Sequence, residues 1–130
     1  MTFPEVDQPC PCGSGDRFEG CCAPLLRGGE APSAERLMRS RYTAFFVGDA
    51  EYLRATWHPG TCPADLELTP SLRWTGLEIV DVVAGGESDK RGVVEFRAHW
   101  RDGAENGVLA ERSRFVKQSG RWWYLDGQVS

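Results

Sequence analysis

The residues of this chain best suited to chemistry are four cysteines in the stretch Cys10-Pro11-Cys12-Gly13-Ser14-Gly15-Asp16-Arg17-Phe18-Glu19-Gly20-Cys21-Cys22. Two close pairs of thiolates, C-x-C and C-C separated by eight residues, can surround one tetrahedral Zn²⁺. A segment this short and glycine-rich buries too little apolar surface to hold a shape alone, so an ion would replace the missing core. Gly13 and Gly15 can take positive φ, which lets the chain turn after the first pair and aim backbone N–H groups at the sulfurs. Ser14 or Asp16 is placed to cap a turn or two of helix running to Cys21, with Phe18 covering the apolar side. The competing chemistry is disulfides or free thiols. Adjacent cysteines bridge only under strain, and residues 1–8, with Pro4, Glu5, Asp7 and no apolar run, do not read as a signal peptide. The expected location is therefore cytoplasmic, where a reducing compartment favours metal over disulfide.

The elements that must position this cluster follow in order. From Pro24 to Pro32, with Gly28 and Gly29 among polar residues, the chain reads as a linker. Ser33 then caps a helix in which Leu37, Met38, Tyr42, Phe45 and Phe46 recur at helical spacing until Gly48. A shorter helix runs from Asp49 through Leu53 and Ala55 and stops before Pro59. After a loop to Pro70 the period changes to two. Leu77, Ile79 and Val83 begin a strand, and Val94, Phe96, Ala98 and Trp100 alternate with charged residues in the next. Val108 to Lys117 returns, and Ser119-Gly120 turns into Arg121-Trp122-Trp123-Tyr124-Leu125. Helices first and an antiparallel meander afterwards make an α+β domain. The length of 130 residues suits one domain plus a small appendage. A net charge of −4 creates no field that would draw the chain to nucleic acid or an anionic membrane, and no stretch is long and apolar enough to span a bilayer.

The cysteine segment resembles the SEC-C motif, the zinc knuckle of the secretion ATPase SecA, in which the last ligand is His or Cys. The resemblance implies Cys10, Cys12, Cys21 and Cys22 as ligands of Zn²⁺. Such knuckles are often lysine-rich between the pairs; Asp16, Arg17 and Glu19 stand there here, which turns the expectation away from nucleic acid. Further on, Leu37-Met38-Arg39-Ser40-Arg41-Tyr42, Thr56-Trp57-His58-Pro59, Glu111-Arg112-Ser113-Arg114-Phe115 and Trp122-Trp123-Tyr124-Leu125-Asp126-Gly127 are similar to the bacterial YchJ family. That resemblance implies a zinc module over 1–28 joined to a domain over 32–130 of the nuclear transport factor 2-like (cystatin-like) type, helices packed on a curved antiparallel sheet that forms a cone. Some members carry a second knuckle at the carboxyl end. None occurs up to Ser130, so functions needing two zinc modules are not expected.

The family name supplies no activity, so the residues are weighed directly. Phe96, Trp100 and Phe115 should face into the cone, and Glu111 and Ser113 share the parity of Phe115. If Ser119-Gly120 is a two-residue turn, Tyr124 lies opposite Phe115 and Asp126 opposite Ser113; a three-residue turn brings Trp123 and Leu125 inward instead. Arg39 or Arg41 could pair with Glu111 or Asp126. Together with Tyr42, Trp57 and His58 these residues outline a polar pocket for a small molecule, or a structural ion pair. His58 is expected to cap the second helix; Cys62 lies four positions on, and His99 on the polar face of its strand. The expected function is a non-enzymatic interaction or adaptor module docking a protein partner through the knuckle, the alternative a small-molecule-binding protein or enzyme using the pocket.

Overall fold

The structure, a computed structural model, describes residues 4 and 7–129. The expectation that residues 1–8 hold no signal peptide falls mostly on positions outside the described residues.

A 3₁₀ turn over Phe18–Gly20 and helix α1 (Ala23–Leu26) follow the first cysteines, then α2 (Ala34–Val47), α3 (Ala50–Ala55) and strands β1 (Arg73–Ala84), β2 (Arg91–Asp102), β3 (Glu105–Gln118) and β4 (Arg121–Val129). Neither Ser14 nor Asp16 caps the 3₁₀ turn, whose N-cap position is Arg17 without a side-chain bond. Ser14 Oγ instead accepts from the Asp16 amide at 3.2 Å. The linker holds the short α1, with Pro24 in its first turn, where a missing N–H costs nothing. Helix α2 has the expected ends: Ser33 accepts from the Arg36 amide, and Gly48 takes the left-handed C-cap at φ 82°. Asp49 caps α3 by accepting from Tyr52.

The strands pair in the order β1-β2-β3-β4, each antiparallel to the next. The expected cone is not formed. The sheet is an open meander in which β1 and β4 are edges that do not pair, and four strands fall well short of what a closed wrap requires. The α+β class and the antiparallel connections stand. Helix α2 lies against the sheet, touching β1, β2 and β4.

The core is continuous from the cysteines to the sheet. Cys10, Cys12, Cys21, Cys22 and Phe18 belong to the same buried cluster as Leu37, Met38 and Tyr42 of α2, Val94 and Phe96 of β2, Phe115 of β3 and Trp122 of β4. Of the two adjacent tryptophans, Trp122 is in this core and Trp123 is half-buried, with Arg121 stacked on its ring.

Ser119 and Gly120, both at positive φ, form a two-residue turn, so Phe115 pairs with Tyr124 as that register requires. One step further the strand bulges: Phe115 pairs with Tyr124 but Arg114 pairs with Asp126, leaving Leu125 as the extra residue. Beyond it the parity of β4 is inverted. Gly127, not Asp126, stands opposite Ser113.

Candidate metal centre and inner-face cavity

The Sγ atoms of Cys10, Cys12, Cys21 and Cys22 lie within 4.8 Å of one another, and all four residues are buried, at most 4% exposed. The backbone gathers them by a tight local network. The Cys10 amide donates to Asp16 O at 2.9 Å, the Gly13 amide to Cys10 O at 3.1 Å, and the Cys21 amide to Phe18 O at 3.1 Å, with Gly13 and Gly15 at φ 76° and 92°. These two positions need the left-handed region that only glycine enters readily.

Every cysteine is a free thiol, and the separations suit a metal rather than a bridge. A tetrahedral site with Zn–S near 2.3 Å has sulfurs about 3.8 Å apart; Cys12 and Cys21 are 3.6 Å apart and Cys21 and Cys22 3.9 Å. The electrostatics agree. Hydrogen bonds from Cys10 and Cys22 pull the Cys12 thiol far below its ordinary value, hydrogen bonding to Cys10 and Cys12 drives Cys22 far above it, and burial pushes Cys21 up to about 11. Without a cation the cluster therefore favours the thiolate at Cys12 and the thiol at Cys21 and Cys22, a conflict that a bound divalent ion removes.

Helix α2 supplies the surroundings. Arg39 Nη1 donates to Cys12 O at 2.9 Å and lies 3.9 Å from Cys12 Sγ, while its Nε is held by Glu35 at 2.9 Å. Arg36 Nη2 donates to Cys21 O at 3.0 Å, Thr43 Oγ1 sits 3.8 Å from Cys10 Sγ, and Ser14 Oγ 3.2 Å from Cys21 Sγ. Sequence reasoning offered Arg39 or Arg41 as the partner of Glu111 or Asp126; Arg39 serves the cysteines. The helical period was the available signal, since Arg36, Arg39 and Thr43 share one face of α2.

Arg41 lies elsewhere, buried at 4% exposure. Its Nη1 donates to Leu53 O at 2.8 Å and Thr56 Oγ1 at 2.7 Å, and the guanidinium sits 4.4 Å from the centre of the Tyr124 ring and 5.1 Å from that of Trp57. No carboxylate of the described residues comes within 4.0 Å of it. Burial lowers its pKa to about 10, so it stays charged at neutral pH. On the facing strand Glu111 Oε2 accepts from Ser113 Oγ at 2.5 Å and from Tyr124 Oη at 3.0 Å. Between them, α2 and the sheet leave a cavity of about 170 Å³ lined by Arg41, Tyr42, Trp57, Glu111, Ser113 and Tyr124 together with apolar and aromatic side chains.

Two expected members are not there. The bulge turns Asp126 to the outer face, where it pairs with Arg114, which holds its carboxyl below the usual range. His58 stands outside the cavity: its Nδ1 accepts from the Gly60 amide at 3.0 Å, so its Nε2–H donates to Gln118 Oε1 at 2.9 Å. It organises the loop after α3 rather than capping that helix with its ring. With both ring nitrogens engaged, it is not poised on Cys62, whose Sγ faces Pro63 O at 3.6 Å. His99, on the outer face, pairs with Glu78 at 2.6 Å. Gly127 is a residue that sequence reasoning missed. A β-carbon there would fall 2.2 Å from Glu111 Oε2, so its bare backbone makes the room in which that carboxylate sits.

Residues 33–127 match the family described as "YchJ, middle NTF2-like domain". The chain is 52% identical over 121 residues to the UPF0225 protein SCO1677 of Streptomyces coelicolor, covering 92% of this chain and 94% of that one. It is 48% identical over 122 residues to a UPF0225 protein of Deinococcus radiodurans, covering 92% and 88%. Among solved structures it is similar to RPA3114, a SEC-C motif containing protein from Rhodopseudomonas palustris, with a TM-score of 0.80, 35% identity and coverage of 93% and 98%. A SEC-C motif containing protein from Psychrobacter arcticus gives a TM-score of 0.72 at 29% identity, covering 96% and 84%.

Proposed function

The chain belongs to the YchJ, or UPF0225, family of SEC-C-motif proteins, and from that premise we propose that it is a zinc-binding interaction module. In this reading Cys10, Cys12, Cys21 and Cys22 hold one Zn²⁺, and the knuckle they fix docks a protein partner in the cytoplasm. The observation that carries it is the buried, closely spaced set of four sulfurs. Four thiolates close the coordination sphere, so the ion supplies folding energy, on the order of 10–16 kcal/mol at neutral pH, and leaves no open position for a reaction. Burial of the sulfurs speaks against redox sensing, which needs accessible thiolates. Asp16 and Arg17, exposed on the knuckle, offer a mixed-charge surface suited to a protein and not to nucleic acid. Among the described residues no helix is long and apolar enough to cross a membrane.

Native mass spectrometry of the full chain should find one zinc per molecule; a folded chain that takes up none at saturating zinc refutes the metal. Cross-linking of the zinc-loaded chain in cell extract should capture a protein that Arg17→Glu loses while retaining its zinc. A second reading, binding of a small molecule between α2 and the sheet, is favoured by one observation: Trp57 and Tyr42, whose indole N–H and hydroxyl are buried without a hydrogen-bond partner among the described residues, are lining residues of the cavity there.

A further inference from the structure

The cavity between α2 and the inner face of the sheet has an imbalance of charge and of hydrogen-bonding groups. The residues that line it carry donors in excess. Trp57 Nε1 is buried and unpartnered among the described residues, and an indole can only donate. The Tyr42 hydroxyl meets no partner in hydrogen-bond geometry; the Gly76 amide approaches it loosely as a donor, which still leaves the hydroxyl proton without an acceptor. Burial drives the Tyr42 pKa up to about 12, so that proton is retained at neutral pH. Arg41 adds a buried cation that bonds through Nη1 alone and has no anion within pairing distance among the described residues. Against these stands a single carboxylate, Glu111, whose Oε2 already accepts from Ser113 and Tyr124.

A buried cation held by two hydrogen bonds and two aromatic rings but by no carboxylate, and orphaned N–H and O–H groups, are each costly inside a protein. Water can accept from Trp57 or Tyr42, yet it cannot neutralise Arg41. The remaining walls are aromatic. Trp57 meets Tyr124 edge to face at 4.9 Å, and Trp74 meets Phe45 at 5.9 Å and Tyr42 at 6.3 Å, an aromatic lining of the kind a further ring packs against. The volume of about 170 Å³ sets the size, since a cavity of about 150 Å³ accepts benzene.

We infer that this cavity binds a small aromatic carboxylate of about the size of benzoate, its ring against Trp57, Trp74 and Tyr124 and its carboxylate taking hydrogen bonds from Arg41, Tyr42 and Trp57. The inference rests on the second reading above and adds the chemical class. One guanidinium matches one negative charge. Glu111, on the facing strand, repels a dianion and confines the acid group to the Arg41 and Trp57 side. It is independent of whether the knuckle docks a partner.

The test is calorimetric titration of the zinc-loaded full chain with benzoate, benzamide and benzylamine. Benzoate should bind one to one and at least about tenfold more tightly than benzamide, because the charge-assisted bonds to Arg41 are lost with the amide. Benzylamine should not bind. Trp57→Phe and Tyr42→Phe each delete one unpartnered donor while keeping an aromatic ring, and each should weaken benzoate about three- to tenfold without lowering the thermal midpoint. Benzamide or benzylamine binding as tightly as benzoate, or both variants binding benzoate like the parent, would refute the carboxylate class and leave the small-molecule reading standing. No heat with any of the three probes would refute both.

Discussion

Phe18→Ala separates a knuckle that merely hangs from the chain from one that is part of its core. Phe18 lies between the cysteine pairs, is 2% exposed, and belongs to the cluster that reaches Phe96, Phe115 and Trp122. Truncating a buried phenylalanine costs about 3–5 kcal/mol when the surroundings relax only partly. For a chain of this length that corresponds to a fall in thermal midpoint of roughly 10–20 °C. The assay is built into the sequence. All five tryptophans, Trp57, Trp74, Trp100, Trp122 and Trp123, lie beyond the knuckle in sequence, so their fluorescence reports the unfolding of the helix–sheet body. In urea, with zinc in excess, the variant should move the fluorescence transition by the full amount at an unchanged slope, as one cooperative unit requires. An unmoved transition, with the loss confined to zinc retention, would refute the shared core.

Zinc uptake should release protons: with Cys21 pushed up to about 11 and Cys22 raised further, thiols protonated at neutral pH must ionise to bind, so affinity should rise with pH between about 6 and 8. Titrations in two buffers of different ionisation enthalpy should report more than one proton released per ion, and a pH-independent affinity would refute the ligand set. Arg39→Met removes the donor to Cys12 O and the cation beside Cys12 Sγ, and competition with a chelator should show zinc held about 10- to 100-fold more weakly. Gly127→Ala should displace the Glu111 carboxylate from its bonds to Ser113 and Tyr124 and cost about 1–3 kcal/mol in denaturant unfolding. Asp126→Asn, which breaks only an exposed pair with Arg114, should cost less than about 1 kcal/mol and leave benzoate binding unchanged.

Much of this architecture was legible wherever a local rule acts alone. Ser33 and Gly48 bound α2 because capping is a matter of a few adjacent residues, and Ser119-Gly120 marks a hairpin because its φ angles are positive. The cysteines declare their own chemistry. What escaped reading depends on which face a residue meets after the chain has closed. Arg39 and Arg41 are two positions apart on one helix, yet one meets the cysteines and the other the cavity. The open sheet and the continuity of its core with Cys10, Cys12, Cys21 and Cys22 are properties of packing between distant segments, which alternation within a strand does not record. The bulge at Leu125 is the sharpest instance, because a strict period of two carries Asp126 inward while the strand carries it out.

That surplus residue acts as a frame. On one side of it β4 presents Tyr124 inward; past it the same strand turns Gly127 toward Glu111 and sends Asp126 outward to Arg114. Deleting Leu125 would remove the bulge and leave Arg114 opposite Asp126 and Ser113 opposite Gly127, whereas keeping Leu125 but pairing it with Arg114 would bring Asp126 opposite Ser113 and add a second negative charge beside Glu111. A chain with every residue the same but β4 paired without the bulge would then differ in what its inner face repels.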